Sequence, residues 1–568
     1  MQQLKTFISL DTKRVQLQLK LPFRSSLNLN LALLCIPLVL STFTHLFNST
    51  GFPCVSFDEA IYVRRALHVL EGLGPQDPSS RFDHGQETNS SYDHPHFGQI
   101  FLAGIFQIIG YPSSLHTLPT VESIEMLYTV PRVLMGILAV VDTFLLYKIA
   151  ERRYNRNVAL VSSILFAVMP LSWLNRWILL DNILLPFLLL SILFALYVKR
   201  NKNNDNNDND IHDNLDSTKK NTHGIDSGNS YDFRKITLII LSGIFLGLAI
   251  YTKITAFTMI PLVGFLIFTN NKSFKSLALW LVPVILIPSL WPLYAISAGQ
   301  FNEWLDGVIW QSTERRVDAA ENSPHSVLSE LATLTKMDPV LVIISIIGIA
   351  YVVIRRDFLI LLWLVPFLIF AISIHWVYFF HFILLLPAAC IASALLIVEV
   401  PKRIIKKQNY QKITSITIIS TIGIFGLVTT VMIISTNVSL LYFVTSAFLV
   451  NYADSSFANG VDDVSIILSP KYSWILKYIF NKDHILPIRE AKDLITKNVL
   501  LLVETHFRYV IEKREAEDER QIEQLQNIYN VTHTVATLTQ NNINDVTGYP
   551  YNSNVFSCEK QQIELRGK

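Results

Sequence analysis

Two short stretches of this 568-residue chain bring together side chains able to move protons and hold anions. The first is Phe57-Asp58-Glu59-Ala60-Ile61-Tyr62, with adjacent carboxylates; the second is Asp93-His94-Pro95-His96-Phe97-Gly98-Gln99, with two imidazoles flanking a proline. A carboxylate that is ionised at neutral pH can take the proton of an attacking hydroxyl, which is general-base chemistry. Imidazoles and cations close by can stabilise a phosphate as it departs. The acidic pair has a second, purely structural reading, because Asp is a good N-cap and Glu suits a first helical turn. Ala60, Val63, Leu67 and Leu70 share one stripe, and Arg64, Arg65, His68 and Glu71 lie elsewhere, so an amphipathic helix resting on a membrane surface is expected after Asp58.

Four more charged residues stand beside or inside apolar runs: Arg132 after Pro131, Arg176, Asp181 and Lys253. Charges in such places are costly, and they mark substrate or ion sites when they are not simple anchors reaching for the interface. Both readings stay open for Arg176. Arg132 and Lys253 together suit a cationic pocket for a phosphate at the level of the lipid headgroups. Arg176 and Asp181 are read as structural or substrate-binding.

These residues have to be positioned by membrane helices. The chain is 51% hydrophobic and 16% charged, more apolar than a water-soluble core can accommodate. Apolar runs of about 20 residues fit helices across about 30 Å of hydrocarbon, not the alternation of an outer-membrane barrel. About eleven spans are expected, over 31–47, 127–149, 158–173, 179–198, 237–251, 254–268, 277–296, 340–353, 359–374, 382–397 and 413–434. Lys5, Lys13, Arg14, Lys20 and Arg24 precede the first, which reads as a signal anchor following a cytoplasmic N-terminus of residues 1–28. Alternation then puts the basic groups at 152–156, 199–200, 272–275, 355–356 and 402–407 in the cytoplasm. This assignment needs the short run 97–111 to lie in the outer interface without crossing. The net charge of +2 says little about partners; the lack of any basic, aromatic-interleaved run or nucleic-acid motif argues against nucleic acid.

The membrane domain is therefore assigned to residues 29–435. It includes a first external loop with interfacial helices at 49–123, a disordered cytoplasmic insert at 201–234 and a further external loop at 298–338. In that last loop, Trp304, Trp310, Glu314, Arg315 and Arg316 suggest an amphipathic helix beside the site. Residues 436–568 are expected to form a small external α/β domain with strands near 463–468 and 498–503 and helices near 470–480 and 508–528, acting as a cap or an acceptor grip. Glycosylation triplets at Asn48, Asn89, Asn437 and Asn530 fall outside by this topology, and that at Asn271 falls inside. Cys54 and Cys558 also fall outside, where a disulfide is permitted, and the spacing leaves their pairing open.

The stretch Phe57 to Tyr62 resembles the Asp-Glu motif in the first external loop of GT-C glycosyltransferases. His94-Pro95-His96-Phe97-Gly98-Gln99 is similar to the His-Pro-Pro-Leu-Gly-Lys motif of the protein O-mannosyltransferase branch, with His96 and Gln99 in place of its second Pro and its Lys. Pro131-Arg132-Val133-Leu134, Asn175-Arg176-Trp177-Ile178-Leu179-Leu180-Asp181 and the run from Gly243 through Gly247-Leu248-Ala249 to Thr252-Lys253 fit the same family in order. The resemblance covers roughly residues 30–400 and implies a polytopic α-helical GT-C-like fold with a small C-terminal α/β domain. It also implies an inverting, metal-independent enzyme that moves a mannose-like sugar from a polyprenyl or dolichyl phosphate to a hydroxyl of a protein or glycan on the external face. Asp58 would then be the general base, Glu59 would orient the site, and Arg132, Lys253, His94 and His96 would face the donor phosphate. No cofactor or metal is implied. Where relatives carry Arg-Tyr before a Leu-Leu-Pro run, this chain has His381-Phe382. The Trp-Trp-Asp-Tyr-Gly motif of oligosaccharyltransferases is absent, and so is a β-trefoil. A lipid-linked glycan flippase or polymerase is the rival reading, since it too handles a lipid phosphate within a bundle of this size.

Overall fold

The long apolar runs fold as helices because a backbone in hydrocarbon has to satisfy its own N–H and C=O groups. The computed structural model describes residues 26–76, 92–198, 226–309, 326–374, 377–458, 464–482, 485–487, 498–504, 507, 519–539 and 562–567. Residues 1–25, the insert over 201–225, Asn89, Trp310, Glu314, Arg315, Arg316 and Cys558, all named in the sequence reading, lie outside these. The helices that carry the site are α1 (Ser26–Leu46), α2 (Phe57–Leu70), α3 (Phe97–Ile109), α4 (Val121–Arg153), α5 (Arg156–Val168) and α6 (Leu180–Tyr197). They continue with α7 (Asp226–Thr252), α8 (Ile260–Asn271), α9 (Phe274–Leu286), α10 (Leu290–Ser297) and α11 (Phe301–Ile309). Helix α7 thus begins inside the segment expected to be disordered.

Among the described residues, 7 helical stretches are long and apolar enough to cross a membrane, or up to 9 if each of two bent pairs is one span. The difference from about eleven has two causes: α1 counts as a shorter apolar helix over Ala32–Leu46, and two expected spans form one bent pair. The runs at 340–353 and 359–374 form the helices Pro339–Arg355 and Phe358–Ile374, which fold back at 119°, and α5 breaks by 69° into a 3-10 turn, Pro170–Arg176. The 13 residues of α3 reach only about 20 Å, too short to cross. Gly110, with φ 69°, ends that helix in the left-handed conformation that glycine takes most readily.

Close approach fixes the bundle where the reacting groups will sit. Gly243 and Gly247 put α7 so near α9 that an added Cβ would lie 2.4 Å from the Trp280 carbonyl oxygen and 2.6 Å from that of Pro283. Hydroxyls join neighbouring helices, as between Ser41 and Thr143 (2.8 Å) and from Thr44 to the Ala167 carbonyl (2.7 Å).

After the last long helix, Gln408–Ile434, the chain forms a further helix, Leu440–Ala458, that the hydropathy pattern did not indicate. It leads into a five-stranded mixed sheet of β1 (Val464–Leu468), β2 (Ile485–Pro487), β3 (Asn498–Val503), β4 (His533–Thr539) and β5 (Gln562–Gly567), ordered β2-β1-β3-β5-β4. The two strands expected from sequence are β1 and β3, paired in parallel. A polar aromatic cluster docks the sheet domain on α4. The Tyr128 hydroxyl meets the Tyr442 hydroxyl at 2.9 Å and accepts from Trp474 Nε1 at 3.1 Å, and Tyr442 donates to the Lys471 carbonyl at 2.7 Å. Cys54 is disulfide-bonded, and Cys35 and Cys390 are free.

Candidate active site

The site is built on a buried ion pair. Ser56 caps α2, and Glu59, three residues on, returns the bond by accepting from the Ser56 N–H at 2.8 Å, a reciprocal capping box. The same carboxylate accepts from Arg132 Nε at 2.9 Å and its terminal nitrogen at 2.8 Å, and from the Ile178 N–H at 3.1 Å. Both side chains are 0% exposed. Arg132 also donates to the carbonyls of Ser49, Thr50, Pro53 and Cys54, so the segment between α1 and α2 wraps around it. The sequence reading puts Arg132 against a phosphate; here every guanidinium nitrogen is bound to protein and none faces a cavity. Arg132 and Glu59 form the buried floor of the site.

Asp58 stands on that floor, half-buried, at the first turn of α2. One turn further, the Tyr62 hydroxyl is held well above its usual pKa, first by burial and then by the negative charges of Asp58, Asp93 and Asp181, with Arg65 opposing. Three carboxylates therefore gather around one protonated phenol. Asp93 is paired with Arg65 at 2.9 Å, and the His94 ring lies 6.5 Å from the Tyr62 ring.

Two helix breaks supply the remaining charges. Asp181 follows the break between the 3-10 turn and α6, which Asn182 secures by donating to the carbonyls of Leu174 (2.9 Å) and Trp177 (2.7 Å). Lys253 ends α7 in extended conformation, φ −151°, before the 3-10 turn Ile254–Met259. Its Nζ donates to Asp181 at 2.7 Å, with the two side chains 4% and 5% exposed, and lies 5.6 Å above the Phe380 ring.

The other expected residues sit apart from this group. His96 is 1% exposed and ringed by Tyr92 (5.5 Å), Tyr294 (5.5 Å) and Trp291 (6.4 Å). Burial lowers its pKa to about 3, with Arg65 adding and Asp93 opposing, so it is a neutral imidazole and not a phosphate-binding cation. Gln99 is buried with its amide against the carbonyls of His96 and Pro95. Arg176 is fully buried, donates to the Phe47 carbonyl and lies behind the floor near Arg132.

Tyr62, Arg65 and Lys471 join the site without having been singled out. Tyr62 was legible as the i+4 partner of Asp58. Lys471 comes from the sheet domain, and burial lowers its pKa while Glu504 and Glu59 raise it. No local signal marks it. Among the described residues, no group of three or more His, Cys, Asp or Glu is arranged to hold a metal. A separate concavity of about 770 Å³, with Arg152, Arg156, Tyr197 and Lys402 in its wall, lies at the opposite end of α4 and contains none of these groups.

Residues 125–206, which include Arg132, Arg176 and Asp181, match the family described as dolichyl-phosphate-mannose-protein mannosyltransferase. No curated protein matches the chain by sequence. Among solved structures, ArnT from Cupriavidus metallidurans, crystallised with undecaprenyl phosphate, is similar with a TM-score of 0.51 at 11% identity, covering 95% of this chain and 98% of its own. The oligosaccharyltransferase AglB from Archaeoglobus fulgidus, in complex with an inhibitory peptide and a dolichol-phosphate, is similar with a TM-score of 0.53 at 12% identity, covering 95% of this chain and 76% of its own. The chain is a multi-pass membrane protein with a fold like that of these structures.

Proposed function

We propose that this GT-C-fold membrane protein is a glycosyltransferase that moves a mannose-like sugar from a polyprenyl phosphate to a hydroxyl of a protein or glycan acceptor, with inversion, on the external face of the membrane. The observation that carries this reading is that Asp58, Asp93 and Asp181 act together on the buried Tyr62 hydroxyl, with Asp181 paired to Lys253 and with Asp58 next in the chain to the buried Glu59–Arg132 pair.

Asp58 removes the acceptor hydroxyl proton as that oxygen attacks the anomeric carbon. The new C–O bond forms on one face of the sugar while the bond to phosphate breaks on the other, and its electrons leave with the lipid phosphate. A phosphate monoester needs charge stabilisation and no proton. Lys253 has three N–H donors and spends one on Asp181, so two remain for phosphate oxygens while Asp181 fixes the direction of the ammonium. His94, leaning on Tyr62, is the second candidate for the phosphate. Tyr62 keeps its proton and can donate to Asp58 or to substrate. Glu59 and Arg132 act through position alone. The fold likeness supports a lipid-phosphate donor, since ArnT was crystallised with undecaprenyl phosphate.

The test is transfer. Purified protein is incubated with labelled dolichyl-phosphate mannose or glucose and a membrane extract, and the labelled product is identified. Transfer that disappears in Asp58→Asn supports the reading, and no transfer from any donor overturns it. A flippase would tolerate Asp58→Asn.

A further inference from the structure

A cluster of aromatic side chains lies separate from the main core, with Tyr92, Tyr251 and Trp291 buried and Tyr294 and Trp304 packed on them. It draws on the loop before α3, the end of α7, and α10 and α11. His96 sits within it, two residues after His94, and Tyr251 stands two residues before Lys253. The cluster is therefore joined through the chain to His94 on one side and to Lys253 on the other, and its His96 is within electrostatic reach of Arg65 and Asp93.

Four of its polar atoms are buried together. Nδ1 and Nε2 of His96, Nε1 of Trp291 and Nε1 of Trp304 are all buried with no hydrogen-bond partner. Leaving such a group unpaired costs about 1–3 kcal/mol each, and native structures seldom collect four in one place without something to meet them. At the rim, the Tyr92 hydroxyl donates to Gln300 at 2.8 Å, and Gln76 links the hydroxyls of Tyr92 and Tyr294. Arg65 and Asp93, the nearest charges to His96, are committed to each other. The cluster itself offers aromatic faces, neutral donors and neutral acceptors, and Glu303 of α11 is within electrostatic reach of Tyr92. An ion would need a counter-charge, and a lipid chain would leave the four polar atoms unmet.

We propose that this aromatic cluster, with His96 and Trp291 at its centre, is the subsite for the uncharged, hydroxyl-bearing ring of the transferred sugar. The proposal rests on the transferase reading for the identity of the ligand. Sugar C–H faces lie on the aromatic rings, and sugar hydroxyls take the indole N–H groups and the imidazole. With the donor phosphate at Lys253, the cluster joined to it through Tyr251 is where the attached ring has to go.

The test compares binding of dolichyl phosphate with that of dolichyl-phosphate mannose and dolichyl-phosphate glucose to full-length protein in lipid nanodiscs. The variants are His96→Phe and Trp291→Phe, which keep a ring and delete the polar atoms; Asp58→Asn serves as a second background that blocks turnover. The wild type should bind at least one sugar-bearing lipid more tightly than dolichyl phosphate. Each variant should weaken that lipid about tenfold, leaving dolichyl phosphate binding unchanged and the thermal midpoint no lower. Equal weakening with and without the sugar, no weakening, or no preference of the wild type for either sugar would each overturn the proposal. Binding is read apart from transfer, so a sugar preference without turnover would refute the transferase reading while leaving a sugar site in place.

Discussion

Glu59 grips Arg132 through two parallel hydrogen bonds of 2.9 and 2.8 Å, with both side chains fully buried. One pair thereby ties the start of α2, the middle of α4 and the loop wrapped around Arg132 into a single unit. Removing one partner leaves an uncompensated buried charge, at a cost of about 3–5 kcal/mol. Glu59→Ala should therefore lower the thermal midpoint sharply, whereas Glu59→Gln with Arg132→Met should recover part of the loss. Arg132→Lys should fail to rescue, because an ammonium cannot reproduce the two-pronged geometry or reach four carbonyls. Thermal unfolding of the four proteins in one detergent reads the coupling directly.

Lys253 and Asp181 make different demands. Lys253→Met should reduce kcat/KM by roughly 10²–10³-fold, the range for losing one electrostatic stabiliser of a leaving group. Asp181→Asn keeps the ammonium and loosens its aim, so its effect should be smaller and partly in KM. Steady-state kinetics with a labelled lipid-phosphate sugar separates the two.

His96 gives the protein an acid-sensitive element. Its folded pKa of about 3 lies below the usual 6.5, so between these values the unfolded chain binds the extra proton. The stability it contributes is whole above pH 6.5 and is lost as pH falls towards 3. From pH 7 to pH 5 the loss should be about 2 kcal/mol. His96→Phe should flatten that part of the stability profile, measured by denaturant unfolding at each pH.

What the sequence disclosed followed from periodic and local physics. Apolar run length announced the helices, short apolar runs announced β1 and β3, and Asp58 and Glu59 were visible as a pair. Their division of labour was not visible, because it depends on Arg132, which lies 73 residues beyond Glu59 and meets it only in the fold. Lys253 and Asp181 were each noted as membrane charges, yet their pairing joins two helix breaks 72 residues apart. His96 looked like a phosphate ligand from its motif; the aromatic residues that keep it neutral come mostly from α10, some 200 residues later in the chain. The glycines at 243 and 247 read as part of a family signature, and the structure gives them a packing reason in the approach of α7 to α9. The helix Leu440–Ala458 was missed because the composition change at its start resembled the beginning of a separate domain.

The most direct measurement is single-turnover transfer of labelled sugar by Asp58→Asn beside the wild type, with donor binding measured in parallel. The account predicts that transfer slows by roughly 10²–10⁴-fold, the usual contribution of a general base, while donor affinity stays within about twofold. Transfer at the wild-type rate by Asp58→Asn would contradict it.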